Sequence, residues 1–118
     1  MQLKITTRTV DGILAIECSG RIVFGEESAL LRERVKQAIP DNKRIVLNLG
    51  EVSYIDSGGL GTLVALHTTA LNAGSTIKLA NLTKRVGDLL QVTKLLTVFD
   101  VRDSEYDALE SFRKETAA

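Results

Sequence analysis

A single cysteine and a single histidine among 118 residues set aside two kinds of explanation. One thiol cannot build an intramolecular disulfide framework, and one thiol with one imidazole falls short of the ligand set of a structural zinc site, so neither a metal nor a cofactor is expected. No apolar run is long enough to cross a bilayer, so no membrane insertion is expected. The amino terminus, Met1-Gln2-Leu3-Lys4-Ile5, lacks the basic stretch followed by an apolar stretch of a secretory signal, which makes the cytoplasm the expected location. Excess charge is missing too. Fifteen Lys and Arg balance fifteen Asp and Glu, without the basic surplus that gives sequence-independent nucleic-acid affinity, so no direct nucleic-acid partner is expected. The chain also lacks repeats, low-complexity segments and linkers, and its length suits one domain spanning residues 1–118.

What is present is ordinary globular composition, 44% hydrophobic and 25% charged, arranged with clear periodicity. Leu3–Val10 and Ile13–Ser19 read as strands joined by Asp11-Gly12, a dipeptide that supplies the positive φ angles of a tight hairpin. Leu14, Ile16 and Cys18 alternate, which points the thiol into the core. Glu26–Ile39 reads as a helix with Leu31, Val35, Ala38 and Ile39 on one face and the lone proline, Pro40, beyond its end. Its Arg32, Glu33, Arg34 and Lys36 read as a solvated face.

Arg44–Leu49 has the continuous apolar character of a buried strand. A second helix follows Asp56, carrying Leu60, Leu63, Val64, His67 and Leu71 on one face and closing near Asn72-Ala73-Gly74. Thr76–Ala80 is a strand, and Thr83 can cap a helix through Val86, Leu89 and Leu90. Thr97–Val101 reads as a strand, Asp103 or Ser104 starts a last helix through Leu109 and Phe112, and Lys114–Ala118 is expected to fray. Strand and helix therefore alternate after the hairpin, which predicts an α/β domain with a mixed, mainly parallel sheet.

The segment Tyr54-Ile55-Asp56-Ser57-Gly58-Gly59-Leu60-Gly61 places a hydroxyl between strand and helix. Asp56 or Ser57 can cap that helix, since both are favoured N-cap residues. Alternatively, Ser57 can carry a phosphate, which the free N–H groups and dipole of a helix start tolerate. A hydrolase reading needs a histidine beside Ser57, but His67 lies ten positions on (67 − 57), about 15 Å along one helix. The glycines lack the Gly-Lys-Ser/Thr ending of a nucleotide phosphate loop. Asp56 and Glu51 form no recognisable acid–base pair. No catalytic residue is expected.

Apolar strand, Asp56, Ser57 and Gly59-Leu60-Gly61, in that order, resemble the signature of the STAS domain, the fold of bacterial anti-sigma factor antagonists. The resemblance implies a single mixed sheet opened by a hairpin, with helices packed mostly on one side. It implies that Ser57 is the serine phosphorylated by an anti-sigma factor kinase, with Ser53 and Tyr54 as weaker candidates, and that a separate phosphatase resets it. The unphosphorylated protein would bind that kinase and free a sigma factor. The implied partner surface comprises Asp56, Ser57, Gly58, Gly59 and Leu60, with Val23 and Phe24. Two positions depart from the family. Gly58 stands where a second Ser or Thr is usual, and Arg21-Ile22-Val23-Phe24-Gly25 replaces a segment with an aspartate at the mouth of the site. Phe24 either packs inside or rims the Ser57 surface. These departures keep open a STAS adaptor that carries no phosphate, such as a subunit of a lipid-transport ATPase, with a small serine hydrolase as the remaining alternative.

Overall fold

The hairpin forms as its turn residues dictate: Asp11 and Gly12 take φ of 52° and 77°, and β1 (Leu3–Val10) pairs antiparallel with β2 (Ile13–Ile22), Val10 opposite Ile13. The structure, a computed structural model, describes residues 3–117. Met1 and Gln2, read above for a signal, and Ala118, the end of the tail expected to fray, lie outside the described residues. After the hairpin come α1 (Glu26–Ala38), a 3-10 turn (Ile39–Asp41), β3 (Arg44–Ile55), α2 (Ser57–Asn72), β4 (Thr76–Ala80), α3 (Lys84–Val92), β5 (Asp100–Arg102) and α4 (Glu105–Ala117). The five strands form one sheet in sequence order, β1 antiparallel to β2 and the remaining neighbours parallel. Pro40 sits inside the 3-10 turn, where its missing N–H costs nothing.

The alternation of side chains through the sheet sorts the helices. Ile16, Cys18, Ile45, Leu47 and Leu49 face α1, α2 and α3, whose Leu31, Val35, Leu60, Leu63, Leu66, Val86 and Leu90 complete the main core. Ile13, Val46 and Ala80 face the other way, toward Ala108, Leu109 and Phe112 of α4. Helices thus lie three on one side and one on the other. Central β3 is buried on both faces, which is why its sequence reads as a continuous apolar run rather than an alternation. Cys18 is fully buried, and burial, with Glu17 beside it, pushes its thiol up to about 12.

Four expectations are corrected. β3 does not stop at Leu49 but continues to Ile55, paired there with β2 alone through Ile22↔Ile55. Thr97–Phe99 is not strand: the chain turns there, the Val98 N–H donating to the Leu95 carbonyl at 3.0 Å, so only Asp100–Arg102 pair with β4, at Lys78–Ala80. On α2 the buried stripe runs through Leu60, Leu63, Leu66 and Ala70, while Leu71 is 53% exposed. Finally, α4 stays helical through Lys114 to Ala117.

Its anchor is Lys78. The side chain points from β4 under α4, its ammonium bonded to Ser111, 2.7 Å from Glu115 and 3.5 Å from Asp100, and lying over the Phe112 ring. Lys78 is fully buried.

Candidate functional site

The long parallel pairing of β2 and β3 delivers two loops to the same end of the sheet. Arg21 lies opposite Tyr54 and Ile22 opposite Ile55, so the β2–α1 connection, Val23-Phe24-Gly25, and the start of α2 leave side by side. Asp56 joins them. Its Oδ1 accepts from the Gly59 N–H at 2.8 Å, which caps α2, and both its carboxylate oxygens accept from the Phe24 N–H at 3.1 Å. The Asp56 N–H in turn donates to the Ile22 carbonyl at 3.3 Å. Those donors, Gly59 first and Phe24 next, hold the Asp56 carboxyl below its ordinary 3.8.

With Asp56 serving as the cap, Ser57 is the first residue of α2. It is exposed, and its hydroxyl is not engaged among the described residues. The weaker candidates differ: the Ser53 hydroxyl donates to the Gly20 carbonyl at 3.2 Å, and the Tyr54 ring lies under two guanidiniums. His67 occupies the same unbroken helix as Ser57 and packs edge-on against Phe99 at 5.4 Å, so no Ser-His pair forms. Glu51 is exposed on β3 and stands opposite Ser19.

The glycines of the motif do three different things. A Cβ on Gly59 would come within 2.0 Å of the Ile22 carbonyl oxygen, so this position is the close approach that lets α2 start against β2. A Cβ on Gly58 would sit 2.7 Å from Phe24 Cβ and 3.1 Å from its Cα. Gly61 meets nothing and borders an open groove. The two departures seen in the sequence are therefore one packing arrangement, with Phe24 drawn down onto the bare backbone of Gly58. Phe24 is nonetheless 82% exposed, which rules out core packing for it.

Of the residues expected at a partner surface, Ser57 and Phe24 are exposed and Asp56, Gly58 and Val23 half-exposed. Gly59 and Leu60 are turned inward, Leu60 into the main core, because a residue three or four positions into a helix that leaves the sheet faces back toward it. Their place is to set the backbone beneath the surface.

Beside Ser57 runs a groove of about 380 Å³ between α1 and α2, lined by Phe24, Gly25, Ser28, Arg32, Gly58 and Thr62 together with Gly61. Ser28 ties its near wall by bonding the Val23 carbonyl at 2.7 Å. Arg32, read as part of a solvated face, reaches across to Thr62 Oγ1 at 3.2 Å, and Thr62 donates to the Gly58 carbonyl at 3.1 Å. Helical spacing within α1 or α2 carries no signal for this cross-helix link.

Comparison with known proteins fits this geometry. A family model described as STAS domain matches residues 4–108. BtrV of Bordetella bronchiseptica is 25% identical over 111 residues, covering 94% of this chain and 96% of BtrV. The anti-sigma-B factor antagonist of Bacillus subtilis is 26% identical over 102 residues, covering 86% and 92%. Among solved structures, the anti-sigma factor antagonist SpoIIAA in its unphosphorylated form matches with a TM-score of 0.77 at 18% identity, over 94% of this chain and 97% of that one. Bacillus SpoIIAA in the phosphorylated form matches with 0.71 at 17%, over 92% and 99%. At such identities the structural likeness is one of fold.

Proposed function

The chain belongs to the STAS domain family, and we propose that it is an anti-sigma factor antagonist: a cytoplasmic interaction switch that binds an anti-sigma factor kinase while Ser57 is unphosphorylated. One observation carries the reading. The capping role that would otherwise explain a serine here is filled by Asp56, leaving Ser57 exposed with its hydroxyl free at a helix start. A phosphate there adds about −1.5 to −2 charges at pH 7. The helix dipole accommodates that charge in the isolated domain, whereas a docking surface brought against Asp56 and Ser57 rejects it. Catalysis belongs to the partner kinase and to a phosphatase that resets Ser57. That SpoIIAA, a fold neighbour, exists in both phosphorylated and unphosphorylated forms supports a switch built on this scaffold.

The test is incorporation of phosphate from ATP by the cognate kinase into the wild type and Ser57→Ala. Labelling of the wild type alone is expected, with Ser57→Asp binding the kinase more weakly than Ser57→Ala. Equal labelling of both proteins overturns the assignment. A wild type that binds its native partner without ever carrying phosphate would instead make it an adaptor, the use to which Gly58 lends itself.

A further inference from the structure

Apart from the α1–α2 groove, Tyr54, the last residue but one of β3, has two arginines against its ring. The Arg21 guanidinium carbon lies 5.5 Å from the ring centroid and that of Arg85 4.8 Å. Arg21 comes from β2 and Arg85 from the first turn of α3, and both are exposed. Neither has a carboxylate partner among the described residues. Asp88, the nearest acid on α3, is held by Lys84 at 2.7 Å. Two positive charges are thus gathered on one aromatic platform and left unneutralised in a chain whose overall charge is zero. A guanidinium stacked on a ring keeps its in-plane N–H groups free, in the fork geometry that matches a carboxylate. The groove beside them, about 330 Å³, is lined by Tyr54, Ile55, Arg85, Asp88, Leu89 and Val92. Val92 is 79% exposed.

We propose that Arg21, Tyr54 and Arg85 form a docking surface for an acidic segment of a protein partner, with an aliphatic side chain of that segment seated against Leu89 and Val92. Charge complementarity selects the occupant, and Arg and Tyr are residue types enriched in interface cores. Tyr54, the platform of this surface, stands three residues before Ser57 in the chain, so phosphate on that serine would repel the same acidic ligand that the arginines attract. This last link rests on the proposed switch; the docking surface does not.

The test uses fluorescence anisotropy of a fluorescein-labelled Asp-Glu-Leu repeat peptide at low salt, with a Lys-Lys-Leu repeat of equal length as control. Saturable binding of the acidic peptide alone is expected. Arg21→Gln with Arg85→Gln should weaken it about tenfold and flatten its salt dependence, while Arg21→Lys with Arg85→Lys retains most of it. Arg34→Gln with Lys36→Gln, an equal charge change on the solvent face of α1, should leave it unaltered. Equal binding of both peptides, an unaffected Arg21/Arg85 glutamine variant, or stronger competition by oligouridylate than by unlabelled acidic peptide would overturn the proposal. The assay needs neither kinase nor phosphate, so its outcome is independent of whether Ser57 is ever modified.

Discussion

The start of α2 and the seat of α4 solve the same problem, fixing a helix to the sheet, by opposite means. At α2 a half-exposed carboxylate collects backbone N–H groups from the β2–α1 loop and from the first turn of the helix, and Ser57 and Phe24 are left outside. At α4 a lysine is buried completely and its charge is answered by Glu115, Ser111 and Asp100. The first arrangement spends little stability on its side chains and places its demands on the backbone. The second commits a charge to the interior, where removing one partner is costly. The difference teaches that side chains at the Ser57 end can change with function while Gly59 cannot.

Substitution should break or sharpen that contrast in a definite order. Gly59→Ala should cost most, about 3 kcal/mol, because the clash is with the Ile22 carbonyl rather than with a yielding side chain. Urea unfolding would show it, and a variant as stable as wild type would mean that α2 can shift off β2. Lys78→Ala should follow at about 2–3 kcal/mol, lessened because Glu115 and Asp100 remain 60% and 35% exposed and can rehydrate. Lys78→Met, which keeps the volume and removes the charge, should recover most of that loss in the same titration.

Asp56→Ala should cost about 1 kcal/mol, the ordinary value of an N-cap, or about 4 °C in Tm. Its pH dependence is more telling. The folded carboxyl is held below its ordinary 3.8, so its contribution is complete above that value and disappears as pH falls through the lower folded one. Asp56→Asn, which keeps one acceptor oxygen but not the charge, should therefore be less stable than wild type near neutrality and draw level with it between about pH 5 and pH 2. Parallel curves would place the Asp56 proton uptake outside folding. Phe24→Ala should have the smallest effect on melting, within about 0.5 kcal/mol for a side chain this exposed, yet weaken kinase binding about tenfold as a lost aromatic anchor. Calorimetry and thermal unfolding on one variant would separate the two, and intact binding would remove Phe24 from the interface.

Much of the fold was legible because it depends on local chemistry. Asp11-Gly12 demands a hairpin, Thr83 caps α3 by accepting from the Val86 N–H at 3.3 Å, and the Ser104 hydroxyl accepts from the Asp107 N–H at 3.0 Å at the head of α4. Strand ends were not legible, since β3 runs as far as β2 does and β5 begins only after the turn at Leu95–Val98, and no pattern within a strand reports that. At the site, the sequence located Ser57 and both unusual segments but not their meeting, because Gly58 and Phe24 are 34 residues apart (58 − 24). Lys78 was hidden for the same reason: in Thr76–Ala80 it occupies what looks like the outward position of a half-buried strand, and only α4 closes over it. The arginines that share Tyr54 come from three separate elements in combination with it and have no linear signature.

The contact of Phe24 with Gly58 involves the α- and β-carbons of residue 24, not merely its ring. Any side chain at 58 therefore acts as a spacer that lifts the β2–α1 loop, whatever residue occupies 24. A serine or threonine placed at 58 would require the loop to stand higher. Such a helix entrance in this chain would consequently require residues 22–25 to move with it, so the two segments change as a unit and not one at a time.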